Sequence, residues 1–106
     1  MSPETVSHKR NVLADHCAAV GRDPGEIRTA VNVGLCPDED ALQAQFGGLA
    51  EGVRPGVLMG SPDQLVERIG QYVDAGADQI NIAMRAPWQL DSLDLATEAI
   101  GQLRAA

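Results

Sequence analysis

The spacing of hydrophobic residues in this chain of 106 residues changes between a helical period and a strand period. Residues 3–20 follow the helical period, because their apolar side chains fall close to one face: Val6, Leu13, Cys17 and Val20. Ser2 can cap this segment and Pro3 suits its first position, while Gly21 can adopt the left-handed conformation that ends a helix. We therefore predict the first helix over residues 3–20.

Residues 27–36 and 79–84 alternate with the period of two that is typical of strands. One face of each segment is bulky, and the other is small or polar. The bulky positions are Val31, Val33, Leu35, Ile80, Ile82 and Met84. The small or polar positions are Ala30, Asn32, Gly34, Cys36, Asn81 and Ala83. We expect the bulky faces to pack under helices, and the small faces to point into an interior or towards a ligand.

A second helix is predicted directly after the first strand, with Asp38 as its cap. Gly47 and Gly48 weaken this helix by roughly 1 kcal/mol each, so we expect it to end early or to be mobile. Residues 51–56 hold two glycines and a proline and are predicted to form a loop. Residues 57–60 then form a short apolar run.

The third helix has the clearest start signal in the chain. Ser61 can cap it, Pro62 takes the first helical position, and Gln64 completes a capping box. Gly76 is predicted to end it. A last helix is expected after the second strand, capped by Asp91 or Ser92, with an apolar stripe that needs a packing partner: Leu93, Ala96, Ile100 and Leu103.

The predicted element order is therefore α-β-α-(β)-α-β-α. Strands that alternate with helices indicate an α/β fold with a parallel sheet, in which ligands bind at the carboxyl ends of strands. The length suits one domain over residues 1–106.

The net charge of −7 argues against nucleic-acid binding, which needs a basic surface to neutralise phosphates. No apolar run is long enough to span a bilayer and no secretory signal is recognisable, so we expect a cytoplasmic protein that does not insert into membranes. Cys17 and Cys36 lack metal-type spacing and are interpreted as buried thiols in a reducing compartment. No metal site and no catalytic dyad are predicted.

Three short sequence motifs, in a fixed order, resemble those of a known family. They are Gly21-Arg22-Asp23-Pro24, Gly60-Ser61-Pro62 and Asp74-Ala75-Gly76-Ala77-Asp78. In this order and spacing, from about His8 to Leu103, the chain resembles the C-terminal region of the luciferase-like monooxygenase family. That family comprises flavin- or coenzyme F420-dependent oxidoreductases built as TIM barrels.

The resemblance implies a partial TIM barrel, the last third of a (β/α)8 fold, with the final two strands and their helices. It implies FMN or F420 as cofactor, with this segment supplying pocket walls and no catalytic residue. Pocket-lining or cofactor-binding positions would be Asn32, Cys36, Asn81, Arg85 and Trp88, with Arg85 on an anionic group and Trp88 over an apolar ligand. Alternatively, Arg85 pairs with a surface acid and Trp88 fills a core or an interface.

A segment of a barrel would have open strand edges and helix faces without neighbours, which favour pairing with another chain. We therefore expect a homodimer. Two functions stay open: the C-terminal segment of a flavin- or F420-dependent oxidoreductase that lacks a complete active site of its own, or a non-catalytic module, derived from that family, that binds itself or a partner.

Overall fold

The structure is a computed structural model that describes residues 2–86 and 90–105. Eight helices and strands lie within these residues, and they are, in chain order, α1 (Pro3–Val20), β1 (Ala30–Cys36), α2 (Glu39–Phe46), α3 (Ala50–Val53), β2 (Leu58–Met59), α4 (Pro62–Asp74), β3 (Gln79–Ala83) and α5 (Leu90–Ala105). Short 3-10 turns occupy Pro24–Glu26, Gly47–Leu49 and Arg54–Gly56. The α/β class is confirmed, and the predicted order of elements agrees with the structure except for α3, which lies partly in a region predicted to be a loop.

The strands form one parallel sheet in the order β2-β1-β3. β1 is central and pairs along most of its length with β3, so that Val31 lies beside Ile80 and Asn32 beside Asn81. On its other edge β1 pairs with β2 only at Leu35 and Cys36. The two long strands predicted from the alternating pattern are therefore direct neighbours, although a whole helical region separates them along the chain.

The predicted helix boundaries are confirmed where capping residues set them. The Ser2 hydroxyl accepts a hydrogen bond from the Thr5 amide at 3.2 Å, and α1 ends before Gly21, whose φ is +73°. At α4, the Ser61 hydroxyl accepts from the Gln64 amide, and the Gln64 side chain accepts from the Ser61 amide at 2.8 Å. Each pair satisfies amides that the first turn of a helix leaves without a partner.

Three predicted boundaries are wrong. The region predicted as a loop over residues 51–56 contains the end of α3 and a 3-10 turn instead. β1 begins at Ala30 rather than at residue 27. α5 begins at Leu90, so neither Asp91 nor Ser92 is its cap. Short helical turns form in glycine- and proline-containing segments when packing compensates for their low propensity, and α3 buries Ala50 in this way.

One face of the sheet, here called the covered face, carries Val31, Val33, Leu35, Ile80 and Ile82. It packs beneath α4 and α5, and its main core consists of buried residues from the sheet and the helices: Val6, Val31, Val33, Leu35, Leu58, Leu65, Ile69, Tyr72, Ala77, Ala96 and Ala99. The Tyr72 hydroxyl donates to the Gly56 carbonyl at 2.6 Å inside this core. The prediction that the bulky face packs under helices is confirmed.

The predicted apolar stripe of the last helix is only partly buried. α5 buries Ser92, Ala96 and Ala99, whereas Leu93, Ile100 and Leu103 are 50%, 41% and 39% exposed. Small side chains let a helix approach its neighbours closely, and α5 uses its alanines for this contact with α4 and β1. Leu93, Ile100 and Leu103 consequently face outwards, whereas Leu95 packs against the core.

Within residues 2–86 and 90–105, no helix is long and apolar enough to cross a membrane.

Candidate functional site

The second face of the sheet is uncovered over most of its area. This surface, here called the open face, consists of Ala30, Asn32, Gly34, Gln79, Asn81 and Ala83. All of them are exposed except Gly34, which is half-buried. Strand alternation sends these side chains away from the helices, so the open face is a shallow surface of small and amide-bearing residues.

A row of amides crosses the open face. The parallel register places Asn32 beside Asn81, and Nδ2 of Asn81 donates to Oδ1 of Asn32 at 3.0 Å. Nε2 of Gln79 donates in turn to Oδ1 of Asn81 at 2.9 Å. These bonds fix the orientation of the row and leave the Nδ2 donors of Asn32 without a partner among the described residues. Two of the predicted site residues, Asn32 and Asn81, are thus brought into direct contact.

Phe46 covers the part of the open face nearest the carboxyl end of β1. A Cβ added to Gly34 would lie 3.4 Å from Cζ of Phe46, so glycine at this position lets the ring approach the strand. The last turn of α2, which ends at Phe46, carries the ring to this position.

Arg85 follows β3 at the carboxyl edge of the sheet, and its guanidinium Cζ lies 4.9 Å from the centroid of the Phe46 ring. This is the geometry of a cation–π contact. No carboxylate pairs with Arg85 in the described part of the chain. The exposed guanidinium therefore keeps its hydrogen-bond donors available beside the open face.

A shallow cavity of about 170 Å³ connects these features, and it is lined by Asn32, Val33, Gly34, Phe46, Val53, Gly56 and Val57. Its wall combines an amide, an aromatic ring and aliphatic side chains, and Arg85 lies over the same ring. Such a wall can contact the face or the edge of a planar heterocycle and can bind an anionic group nearby.

Cys36 does not share this exposed position. Its side chain alternates onto the same face of β1, but α2 and α3 cover it, and it is fully buried in a second cluster with Ala41, Leu42, Ala50 and Val57. Burial, helped by the charge of Asp38, raises the pKa of the Cys36 thiol. A buried, protonated thiol is a packing group and not a nucleophile. The expectation that both cysteines are buried is confirmed.

An exposed ion-pair cluster lies close to the carboxyl end of β1. The Arg54 guanidinium donates to both carboxylate oxygens of Glu39, at 2.5 and 2.6 Å, and to Glu51 at 2.7 Å. These bonds lower the pKa of Glu39 to about 2. Because the bidentate contact links the first turn of α2 to the turn before β2, we interpret it as structural.

Trp88, the remaining predicted site residue, lies outside the described residues. Phe46 is a site residue that was not predicted from the sequence. The available signal was Gly34, since a glycine inside a strand often marks close approach of another group. Across the described residues, no group of three or more His, Cys, Asp and Glu side chains could hold a metal ion.

Comparison with known proteins gives no significant match to a protein-family model, to a curated protein sequence or to a solved structure.

Proposed function

We propose that this chain is the C-terminal segment of a flavin- or F420-dependent luciferase-like oxidoreductase, in which the open face forms one wall of the cofactor pocket. The proposal rests on the difference in helix packing between the two faces of the sheet. Helices α4 and α5 pack on the covered face, whereas α2 and α3 reach the open face only at its carboxyl end, over Gly34 and Cys36, and the rest of that face holds small and amide-bearing residues. A segment of a TIM barrel has this construction, with helices outside and the other strand face towards the interior.

The adjacency of β1 and β3 supports the same proposal. Successive strands of a barrel lie side by side and parallel, and β1 and β3 pair in parallel over five registered positions. In this proposal they are the final two strands of the barrel, and the two-residue β2 belongs to the connection between them. The parallel α/β fold is observed, and the partial TIM barrel is part of our proposal.

The residues of the open face suit a flavin or a deazaflavin. The free Nδ2 donors of Asn32 and the ordered amide of Asn81 can bond the polar edge of a planar ring system, and Arg85 can bind an anionic group of cofactor or substrate. FMN or F420, when bound, would supply the hydride or oxygen chemistry of such an enzyme. The chain itself would orient the ring and exclude water from one side.

The described residues contain no glycine-rich phosphate-binding loop of the Walker or Rossmann type. We therefore propose that the chain is not catalytically competent alone and depends on a further segment or subunit for the rest of the pocket. Localisation in the cytoplasm belongs to the same proposal.

A second candidate function is a non-catalytic module, derived from that family, that binds a second copy of itself. The observation that favours it is the outward face of α5, here called the α5 stripe, with Leu90 80% exposed and Leu93, Ile100 and Leu103 also exposed. Apolar residues at these spacings form one helical stripe.

The charges of α5 suggest how two copies would pair. Asp91 and Asp94 lie in the first half of the helix, Glu98 lies just past its middle, and Arg104 lies in the last turn. Antiparallel packing of two α5 stripes about a two-fold axis would bring Arg104 of each copy towards Asp94 of the other, whereas Asp91 lies on the opposite side of the helix from the stripe. Such isologous contacts are the usual basis of homodimers.

The cofactor proposal can be tested by NMR titration of the chain with FMN and with F420. We expect concentration-dependent shifts of the Asn32 and Asn81 side-chain amides, of low affinity because part of the pocket is absent. The double variant Asn32→Ala/Asn81→Ala should lose the response. The matched control is Gln71→Ala, which removes an exposed amide on α4 and should respond like the unmodified chain.

The absence of any shift at these amides up to millimolar FMN and F420 would contradict a cofactor wall on this face. If the chain is then dimeric, the self-associating module is the better interpretation.

A further inference from the structure

A second cavity, of about 340 Å³, lies at the amino-terminal end of β1, away from the open-face site at the carboxyl ends of the strands. It is bounded by one face of α1 and by the segment that leads into β1, and its lining residues are Val6, Lys9, Arg10, Leu13, Ile27, Arg28, Thr29, Ala30 and Val31. We refer to it as the α1 cavity. Its volume lies at the lower end of the roughly 300–1,000 Å³ that is typical of small-molecule sites.

The charge around the α1 cavity is opposite to that of the whole chain. Lys9, Arg10 and Arg28 line it, without any acidic lining residue, although the chain carries a net charge of −7. Lys9 and Arg28 are exposed and form no ion pair with a carboxylate within residues 2–86 and 90–105. Three cationic side chains around one cavity raise the local concentration of anions there.

Arg10 is held in place by neutral acceptors. One of its terminal nitrogens donates to the Ile27 carbonyl at 3.2 Å and to the Thr29 hydroxyl at 3.0 Å, and the other donates to the Pro24 carbonyl at 3.4 Å. These bonds orient the guanidinium without neutralising it. A carboxylate does approach the cavity, that of Asp78, but it accepts a hydrogen bond from the Thr29 amide at 2.8 Å.

Apart from Thr29, the rest of the lining is aliphatic: Val6, Leu13, Ile27, Ala30 and Val31. Concave sites that combine an apolar lining with a few convergent polar groups fit ligands with both characters. We propose that the α1 cavity binds a small amphiphilic anion, with an aliphatic body against these residues and a carboxylate or phosphate head beside Lys9 and Arg28. This inference is independent of the proposed cofactor wall.

The test is calorimetric titration of the whole chain with decanoate, decyl phosphate, decanol and inorganic phosphate, each below its micelle-forming concentration where one exists. We expect saturable one-to-one binding of decanoate or decyl phosphate, and the tighter of the two identifies the head group. Binding of either should exceed that of decanol, which lacks the charge, and of inorganic phosphate, which lacks the body.

The variant Lys9→Gln/Arg28→Gln should weaken binding of the anion at least about tenfold, because each lost charged contact costs more than a neutral one. Both residues are exposed, so the fold should be unaffected. Arg104→Gln, which removes an exposed cation from α5, is the matched control and should bind normally. Leu13→Trp should abolish binding by filling the cavity while keeping every charge.

Three results would overturn the proposal. These are no saturable binding of either amphiphilic anion, decanol binding as tightly as the anions, or equal loss of affinity in Arg104→Gln and in Lys9→Gln/Arg28→Gln.

Discussion

The two faces of the sheet differ in what they accomplish within this chain. On the covered face, Val33 and Leu35 are at most 2% exposed and pack beneath two helices. On the open face, Asn32 and Asn81 bond to one another across β1 and β3 and remain exposed. The same two strands thus contribute a closed core on one side and an accessible surface on the other.

This difference separates the residues that stabilise the fold from those available for binding. Burial of apolar area is the main favourable contribution to folding, and nearly all of it comes from the covered face and from the second cluster under α2. The open face adds few apolar contacts, so its residues can be chosen for binding a ligand or another chain without loss of stability. The comparison leads to four predictions, ordered by the size of the expected effect.

The largest effect is expected at the centre of the covered face. Leu35→Ala removes a fully buried side chain and should lower the free energy of unfolding by about 2–5 kcal/mol. The measurement is urea unfolding followed by circular dichroism. Leu49→Ala is the matched control, because Leu49 is 68% exposed and its truncation should change stability by less than about 0.5 kcal/mol. Equal effects of the two substitutions would contradict the assignment of the core.

Tyr72→Phe should lower the free energy of unfolding by about 1–3 kcal/mol, because it leaves the buried Gly56 carbonyl without its donor. Burial also raises the pKa of Tyr72 above 10.0. The folded chain therefore holds this proton more tightly than the unfolded chain. The stability that results from this difference is present below pH 10 and is lost as the pH rises through the pKa of Tyr72 in the folded chain.

Tyr72→Phe should flatten this alkaline loss of stability in urea unfolding curves recorded on both sides of pH 10. Both chains should carry Cys36→Ala, because the pKa of the Cys36 thiol is also raised above 9.0 and its ionisation would also lower the free energy of unfolding at alkaline pH. An unchanged alkaline slope after removal of the Tyr72 hydroxyl would contradict its burial.

On the open face, Asn81→Ala removes both bonds of the amide row but no buried group. We expect the free energy of unfolding to change by less than about 0.5 kcal/mol, as is usual for exposed substitutions. Ala83→Asn, which adds an amide on the same face, should be equally neutral. A loss above about 2 kcal/mol for Asn81→Ala would mean that the open face stabilises the fold.

The smallest effect on stability is expected at the exposed pair of Glu39 and Arg54. Arg54→Gln should return the pKa of Glu39 from about 2 towards 4.5, measured by NMR titration of its side-chain carboxyl. The stability that this pair adds is present above pH 4.5 and is lost as the pH falls through about 2, and solvent screening keeps it small. Arg104→Gln should leave the Glu39 titration unchanged, and a shift there would contradict the local origin of the effect.

The sequence was sufficient to predict most of the fold because its local signals agree with the packing. Ser2, Gly21 and the Ser61–Gln64 box set helix ends through bonds within a few residues, and the alternation in β1 set which face is covered. Such short-range signals are readable without knowledge of distant contacts.

What the sequence could not predict depends on contacts far apart in the chain. The position of Phe46 over Gly34 and the neighbouring position of Arg85 both depend on how α2 and β3 pack around β1. Likewise, α5 could bury either of two stripes, and the alanine stripe was selected because close approach to α4 and β1 favours small side chains. The apolar periodicity alone favoured the larger residues.

The central claim is that the surfaces left open on this chain are contact surfaces for a further chain or segment. Sedimentation velocity over a range of concentrations tests it most directly, with the chain, with Ile100→Glu on the α5 stripe, and with Leu49→Glu as an exposed control away from that stripe. We expect a reversible dimer that Ile100→Glu dissociates and Leu49→Glu leaves intact. A chain that stays strictly monomeric up to millimolar concentration, while unfolding in one cooperative transition, would contradict the claim.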